Sequence, residues 1–177
     1  MDAYQKKYLK YKTKYELLKK QIGGDPRGRI LREFERLQQE PIPGITVNIN
    51  EADILNATGT IVGPRGTPYE GHIWRVIITY PKSYPNEPPT VRFVDPIFHP
   101  NINQDTGAVY ISILKNDKKS ESWNPSLNAG LVLRSIQSTL NADSPFNVDA
   151  AIVLATSKSQ FNDAVKAFIQ LNNTPIA

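Results

Sequence analysis

The residue types that could do chemistry in this 177-residue chain are few, and one is missing altogether. There is no cysteine, which excludes disulfides, thiolate metal sites and every mechanism built on a cysteine nucleophile. His72 and His99 are the two histidines. With no cysteine beside them they do not make a zinc set, so no metal and no cofactor are expected. The other polar candidates gather in one stretch, Asp95 to Leu127, which is poor in regular signals. A coil of that length inside a compact domain is uncommon and often functional. It holds His99, Asn101 and two hydroxyls, Tyr110 and Ser112. His99 reads as a packed, hydrogen-bonded histidine rather than a base. Asn101 reads as a side chain that ties the loop to backbone. Ser112 has the parity of Tyr110 in an extended segment but no neighbouring base in sequence.

The elements that must hold this coil are legible on either side of it. Ile30, Leu31, Phe34 and Leu37 fall at helical spacing, and Pro41 and Pro43 end that helix. Strand-like runs follow at Ile45–Ile49, Ala57–Val62, Ile73–Tyr80 and Thr90–Phe93, each bounded by Gly, Pro or Asn. In the third, Trp74, Val76, Ile78 and Tyr80 share one face. The proline-dense stretch Tyr80–Pro89 cannot be interior sheet, and Tyr84-Pro85 is a candidate cis peptide. Past the coil, Leu131, Leu133, Ile136 and Leu140 are helical, then a stretch from Asp149 to Leu171 with Phe161, Val165, Phe168 and Ile169 as its core face. Runs of each type, not alternation, predict an α+β fold with an antiparallel meander of three or four strands, a long irregular stretch where the active site is to be sought, and C-terminal helices.

Hydrophobic residues make up 40% and charged ones 21%, the balance of a soluble globule. No apolar run is long enough to span a membrane, and MDAYQKKYLKYK lacks the apolar stretch of a secretory signal. The net charge of +4 is uneven. Residues 1–24 carry seven lysines against Asp2 and Glu16, and the remainder is close to neutral. The basic pI therefore describes a tail, which weakens a nucleic-acid role for the globule. In that tail Tyr4, Tyr8, Tyr11, Tyr15, Leu18 and Ile22 form an a/d heptad seam, and Gly23-Gly24 would stop the helix. A solvated basic helix, a coiled coil or partner-docking helix, and an anionic-surface or nucleic-acid binder are all open readings. Residues 1–24 are read as a basic amphipathic tail, 25–28 as a linker and 29–177 as the core domain.

From about Arg29 to Gln170 the chain resembles the ubiquitin-conjugating enzymes. The resemblance rests on RILREFERLQQEP, GPRGTPYEG, YPNEPPTVRF, FHPNIN, GAVYISIL, Trp123-Asn124-Pro125 and SPFNVDAA, all in the family's order. It implies a protein of the ubiquitin pathway whose relatives carry ubiquitin as a thioester on one cysteine and pass it to a lysine. That cysteine lies shortly after His99-Pro100-Asn101, in a segment of the form G-x-V-C-(I/L)-S-I-L. Here the segment is Gly107–Leu114, and Tyr110 stands at the nucleophile's position. A phenol, with an ordinary pKa of about 10, is scarcely ionised at neutral pH. Its bulk would also crowd a groove shaped for a diglycine tail, and an oxygen ester on Ser112 would transfer poorly to lysine.

The resemblance gives Asn101 the role of stabilising the oxyanion; without a nucleophile, its loop-tying role is the one expected. Asn141-Ala142-Asp143-Ser144 is shorter than the family segment that gates the incoming lysine, with Ser144 keeping the position before proline. The insertion Lys115–Ser122 is longer than in minimal members and mainly basic. By the same resemblance Arg29, Arg32 and Arg36 match the face that docks the activating enzyme. The loop Pro64–Tyr69 and the segment Asn124-Pro125-Ser126 match ligase-binding loops, and Asn86 replaces a large apolar anchor for RING-type ligases. Pro and Gly in such loops also simply fix turns, and Trp123 reads as a core plug.

The tail string KKYLKYKTKYELLKKQIGG resembles an N-terminal segment shared by otherwise unrelated proteins of amoeba-infecting giant viruses. That implies a common address or processing signal, with the diglycine as a candidate cleavage point. The expected location is intracellular, in host cytoplasm, a virion or a virus factory. Three functions are weighed. One is an inactive variant that binds ubiquitin or a ubiquitin-like protein, a ligase, the activating enzyme or another conjugating enzyme. Another is an active ubiquitin-conjugating enzyme with a sequence difference at 110. The third is a virion or scaffold protein acting through its basic tail.

Overall fold

A computed structural model of the chain describes residues 25–117, 122–141 and 157–172, together with Gln5, Tyr11 and Lys12. Helix α1 spans Pro26–Gln39. Residues 26–28, expected as linker, are instead its first turn, and Asp25 is its cap. The Asp25 carboxylate accepts from the Arg27 N–H at 3.0 Å, and proline at the first helical position loses no bond there.

Four strands follow as a meander: β1 Ile45–Ile49, β2 Asn56–Val62, β3 Ile73–Thr79 and β4 Thr90–Phe93. Their order is β1-β2-β3-β4, antiparallel throughout, with Val47 opposite Gly59, Gly59 opposite Val76, and Val76 opposite Phe93. Alternation sets the faces: Ile45, Val47, Ala57, Ile61, Trp74, Val76, Ile78, Val91 and Phe93 are buried together. Threonines occupy much of the other face, where Thr46 and Thr60 share a hydrogen bond of 2.7 Å.

Helix α2, Ala129–Thr139, packs against the sheet and α1. It buries Ala129, Gly130, Val132, Leu133 and Ile136, whereas Leu131, expected on the core stripe, is exposed. The Gln137 side-chain amide donates to the Val62 carbonyl at 2.9 Å and fixes the helix against the end of β2. Helix α3, Lys158–Asn172, buries Phe161 and Val165, with Phe98 of the coil stacked near Phe161 and Phe168. The architecture is α+β, as the order of elements predicts. The heptad seam apart from Tyr11, which is exposed, the diglycine of the tail, Ser144 of the expected gate and the helical start at Asp149 lie outside the described residues. No helix among the described residues is long and apolar enough to cross a membrane.

Candidate active site

The coil after β4 folds back on that strand and leaves Tyr110 facing solvent. Asn103 makes the turn: its carbonyl accepts from Gly107 N–H at 2.8 Å, and its side-chain oxygen accepts from the Thr106 N–H at 2.8 Å. Gly107, at φ +71°, starts the return leg. That leg pairs with β4, since the Phe93 N–H donates to the Gly107 carbonyl at 2.8 Å and the Val109 N–H to the Val91 carbonyl at 3.1 Å. Because the leg is extended, Val109 and Ile111 turn inward and Tyr110 between them is 64% exposed. Ser112 is exposed like Tyr110, but the extended segment ends before it. It opens a single 3-10 turn, Ser112–Leu114.

Asn101 lies directly across from Tyr110. The Tyr110 N–H donates to the Asn101 carbonyl at 2.8 Å, and the Asn101 side-chain amide donates to the Tyr110 carbonyl at 3.2 Å. Asn101 is only 5% exposed, and its Oδ1 is buried with no hydrogen-bond partner among the described residues. The amide is thus committed to holding the backbone of residue 110. Pro100 is buried beside it.

His99 is held from both ring nitrogens. The Asn101 N–H donates to Nδ1 at 3.0 Å, and Nε2 lies 2.8 Å from the Thr139 carbonyl. A carbonyl only accepts and an N–H only donates, so these partners select the neutral Nε2–H tautomer. Burial lowers the His99 pKa from 6.5 to about 4, partly opposed by the Thr139 hydrogen bond. An imidazole so placed is neutral at pH 7 and ties the coil to the last residue of α2. The unfolded chain therefore takes up the proton first as pH falls. The stability associated with His99 is complete above pH 6.5 and is lost progressively between 6.5 and 4. The full loss should reach about 3 kcal/mol. Urea midpoints across that range should fall, and His99→Gln should flatten the fall.

The predicted partner faces divide on burial. Arg32, Arg36, Asn86, Asn124, Pro125 and Ser126 are exposed, and Pro64 is half-buried. Tyr69 is 1% exposed, which corrects its expected place on a ligase-binding surface. Its hydroxyl donates to the Phe98 carbonyl at 2.8 Å and its ring packs on His99 at 5.7 Å, so it supports the coil from below. Arg29 is also turned inward, paired with Glu33 and donating to the Leu127 carbonyl at 2.9 Å. Trp123 is buried as expected, and its indole donates to the Pro85 carbonyl at 2.7 Å; the Tyr84-Pro85 peptide is cis. Sequence reasoning missed Glu33, although a carboxylate at position 33 falls on the same stripe as Ile30, Phe34 and Leu37.

A protein-family model described as "Ubiquitin-conjugating enzyme" matches residues 29–169. The chain belongs to the ubiquitin-conjugating enzyme family. Ubiquitin-conjugating enzyme E2 2 of Yarrowia lipolytica is 32% identical over 151 residues, covering 84% of this chain and 96% of that protein. Ubiquitin-conjugating enzyme E2 3 of Arabidopsis thaliana is 37% identical over 145 residues, covering 80% of this chain and 93% of that protein. Among solved structures, the E2 domain of a Toxoplasma gondii ubiquitin conjugating enzyme superposes with a TM-score of 0.69 at 34% identity, covering 82% of this chain and 97% of that one. This family member has the coil, with His99, Pro100 and Asn101 assembled under residue 110, which is a tyrosine in a chain that holds no cysteine. Among the described residues no group of three His, Cys, Asp or Glu could hold a metal.

Proposed function

We propose that this ubiquitin-conjugating enzyme relative does not carry ubiquitin as a thioester and instead works as a binding module of the ubiquitin pathway, taking up ubiquitin, a ligase or another conjugating enzyme. One observation carries this reading. The backbone of residue 110 is held by Asn101 as a reaction site would need, yet the exposed side chain there is a phenol and the chain has no thiol anywhere. The exposed Asn86 and Asn124–Ser126 are consistent with a retained docking surface.

Two measurements test it. Incubation with activating enzyme, ATP and ubiquitin should give no adduct on a non-reducing gel, and an adduct on Tyr110 would refute the inactive reading. Titration of the labelled chain with ubiquitin, a RING domain and a second conjugating enzyme should give saturable amide shifts with at least one. Silence with all three would refute the binding module. The intact His99–Asn101 frame favours one other reading, an active enzyme with cysteine encoded at position 110, which sequencing of that codon decides.

A further inference from the structure

Glu33 is a half-buried carboxylate of α1, away from the site around residue 110. Both of its oxygens accept from the Tyr84 hydroxyl, at 2.7 and 2.8 Å. Glu33 Oε2 also accepts from the Ala129 N–H at 3.2 Å. Ala129 is the first residue of α2, where a free N–H and the helix dipole both favour negative charge. On its other side Glu33 pairs with Arg29, whose guanidinium reaches the Leu127 carbonyl. The circuit closes through Trp123, which donates to the Pro85 carbonyl. Two segments hang on this ring of bonds: Tyr84–Asn86, which exposes Asn86, and Asn124–Leu127, which exposes Asn124, Pro125 and Ser126. Burial and the Glu33 charge hold the Tyr84 phenol far above its ordinary pKa, so Tyr84 stays a hydrogen-bond donor.

We infer that Glu33 is a positioning residue that couples the loop of Asn86 to the loop of Asn124–Ser126, so that the two are held as one unit in the free chain. This rests on the binding-module reading for its purpose, but the coupling itself belongs to the free chain. A partner that displaces one loop would then loosen the other through the shared carboxylate. Hydrogen bonds to a charged acceptor are the stronger kind, and networks of them are apportioned only by double-variant comparison.

The test is amide hydrogen exchange on the free, full-length chain. Leu127 N–H, bonded to the Asn124 carbonyl at 2.9 Å, reports the far loop and touches neither Tyr84 nor Glu33. Tyr84→Phe should speed its exchange about tenfold, with Ile61 and Val76 in the sheet changed less than about twofold. In a Glu33→Gln background the same Tyr84→Phe step should leave Leu127 nearly unchanged, because the link is already cut. If Glu33→Gln does not fold, Arg29→Gln serves as the second background, since it severs the Leu127 end. An unchanged Leu127 in Tyr84→Phe, an equal increment in both backgrounds, or an equal rise across the sheet would each overturn the coupling. Because no partner is present, such a result would leave the adduct and titration tests of the function untouched.

Discussion

Tyr110→Cys is expected to turn a chain that forms no ubiquitin adduct into one that forms a thiol-sensitive adduct, a gain of about a hundredfold or more. The backbone frame does not depend on the side chain being replaced. Residue 110 is fixed by bonds from its own N–H and carbonyl to Asn101, and by the inward packing of Val109 and Ile111. Exchange of a 64% exposed side chain should move stability by no more than about 0.5 kcal/mol. The chemistry changes much more. A thiol on Cβ stands close to Asn101, whereas a phenolic oxygen lies at the far end of a ring pointing into solvent. At neutral pH a thiol is ionised roughly thirtyfold more than a phenol, and a thiolate is intrinsically the better nucleophile toward an activated carboxyl. Charging would show that the surface for the activating enzyme is still competent and that position 110 alone blocks thioester formation. A folded Tyr110→Cys chain that fails to charge would place the block in the surface that docks the activating enzyme or in the segments Asn141–Pro145 and Lys115–Ser122.

The strands were the most legible part, because period-2 burial and flanking Gly, Pro and Asn fix both the face and the ends. Helix α1 shows where local signals mislead. Asp25-Pro26-Arg27-Gly28 has the composition of a linker, but Asp25 caps and Pro26 opens the helix, and only the following stripe of Ile30, Phe34 and Leu37 could have told the two apart. At the site, the resemblance located Tyr110, Asn101 and His99. That Asn101 faces Tyr110 depends on the Asn103–Gly107 turn, and the neutral state of His99 on a carbonyl forty residues away. Tyr69 looked like a loop contact because GPRGTPYEG is a turn sequence; its burial follows from where the coil crosses, which no local pattern encodes. Glu33 belongs to the same class, a charge on an apolar stripe whose partners beyond its own helix come from two distant segments.

Gly107→Ala should be the most damaging small substitution near the site, and its damage should be separable from the chemistry. A Cβ at position 107 would lie 2.1 Å from the Phe93 carbonyl oxygen and 3.0 Å from its carbon. That oxygen belongs to β4, and the Phe93 N–H is simultaneously bonded to the Gly107 carbonyl, so neither backbone can yield without breaking the pairing. The left-handed φ of +71° adds about 1 kcal/mol by itself. Gly71 isolates that smaller contribution: its φ is +76°, and nothing lies within 4 Å of its would-be Cβ. Gly71→Ala should therefore cost about 1 kcal/mol, and Gly107→Ala about 4 kcal/mol or more, measured by urea denaturation. Equal costs would mean that the return leg is not packed on β4 as described. Where the Gly107→Ala chain still folds, the relief must come from lifting the leg that carries residue 110 away from β4. Combined with Tyr110→Cys, it should then lose the charging gained by the cysteine, since the thiol would no longer be held beside Asn101.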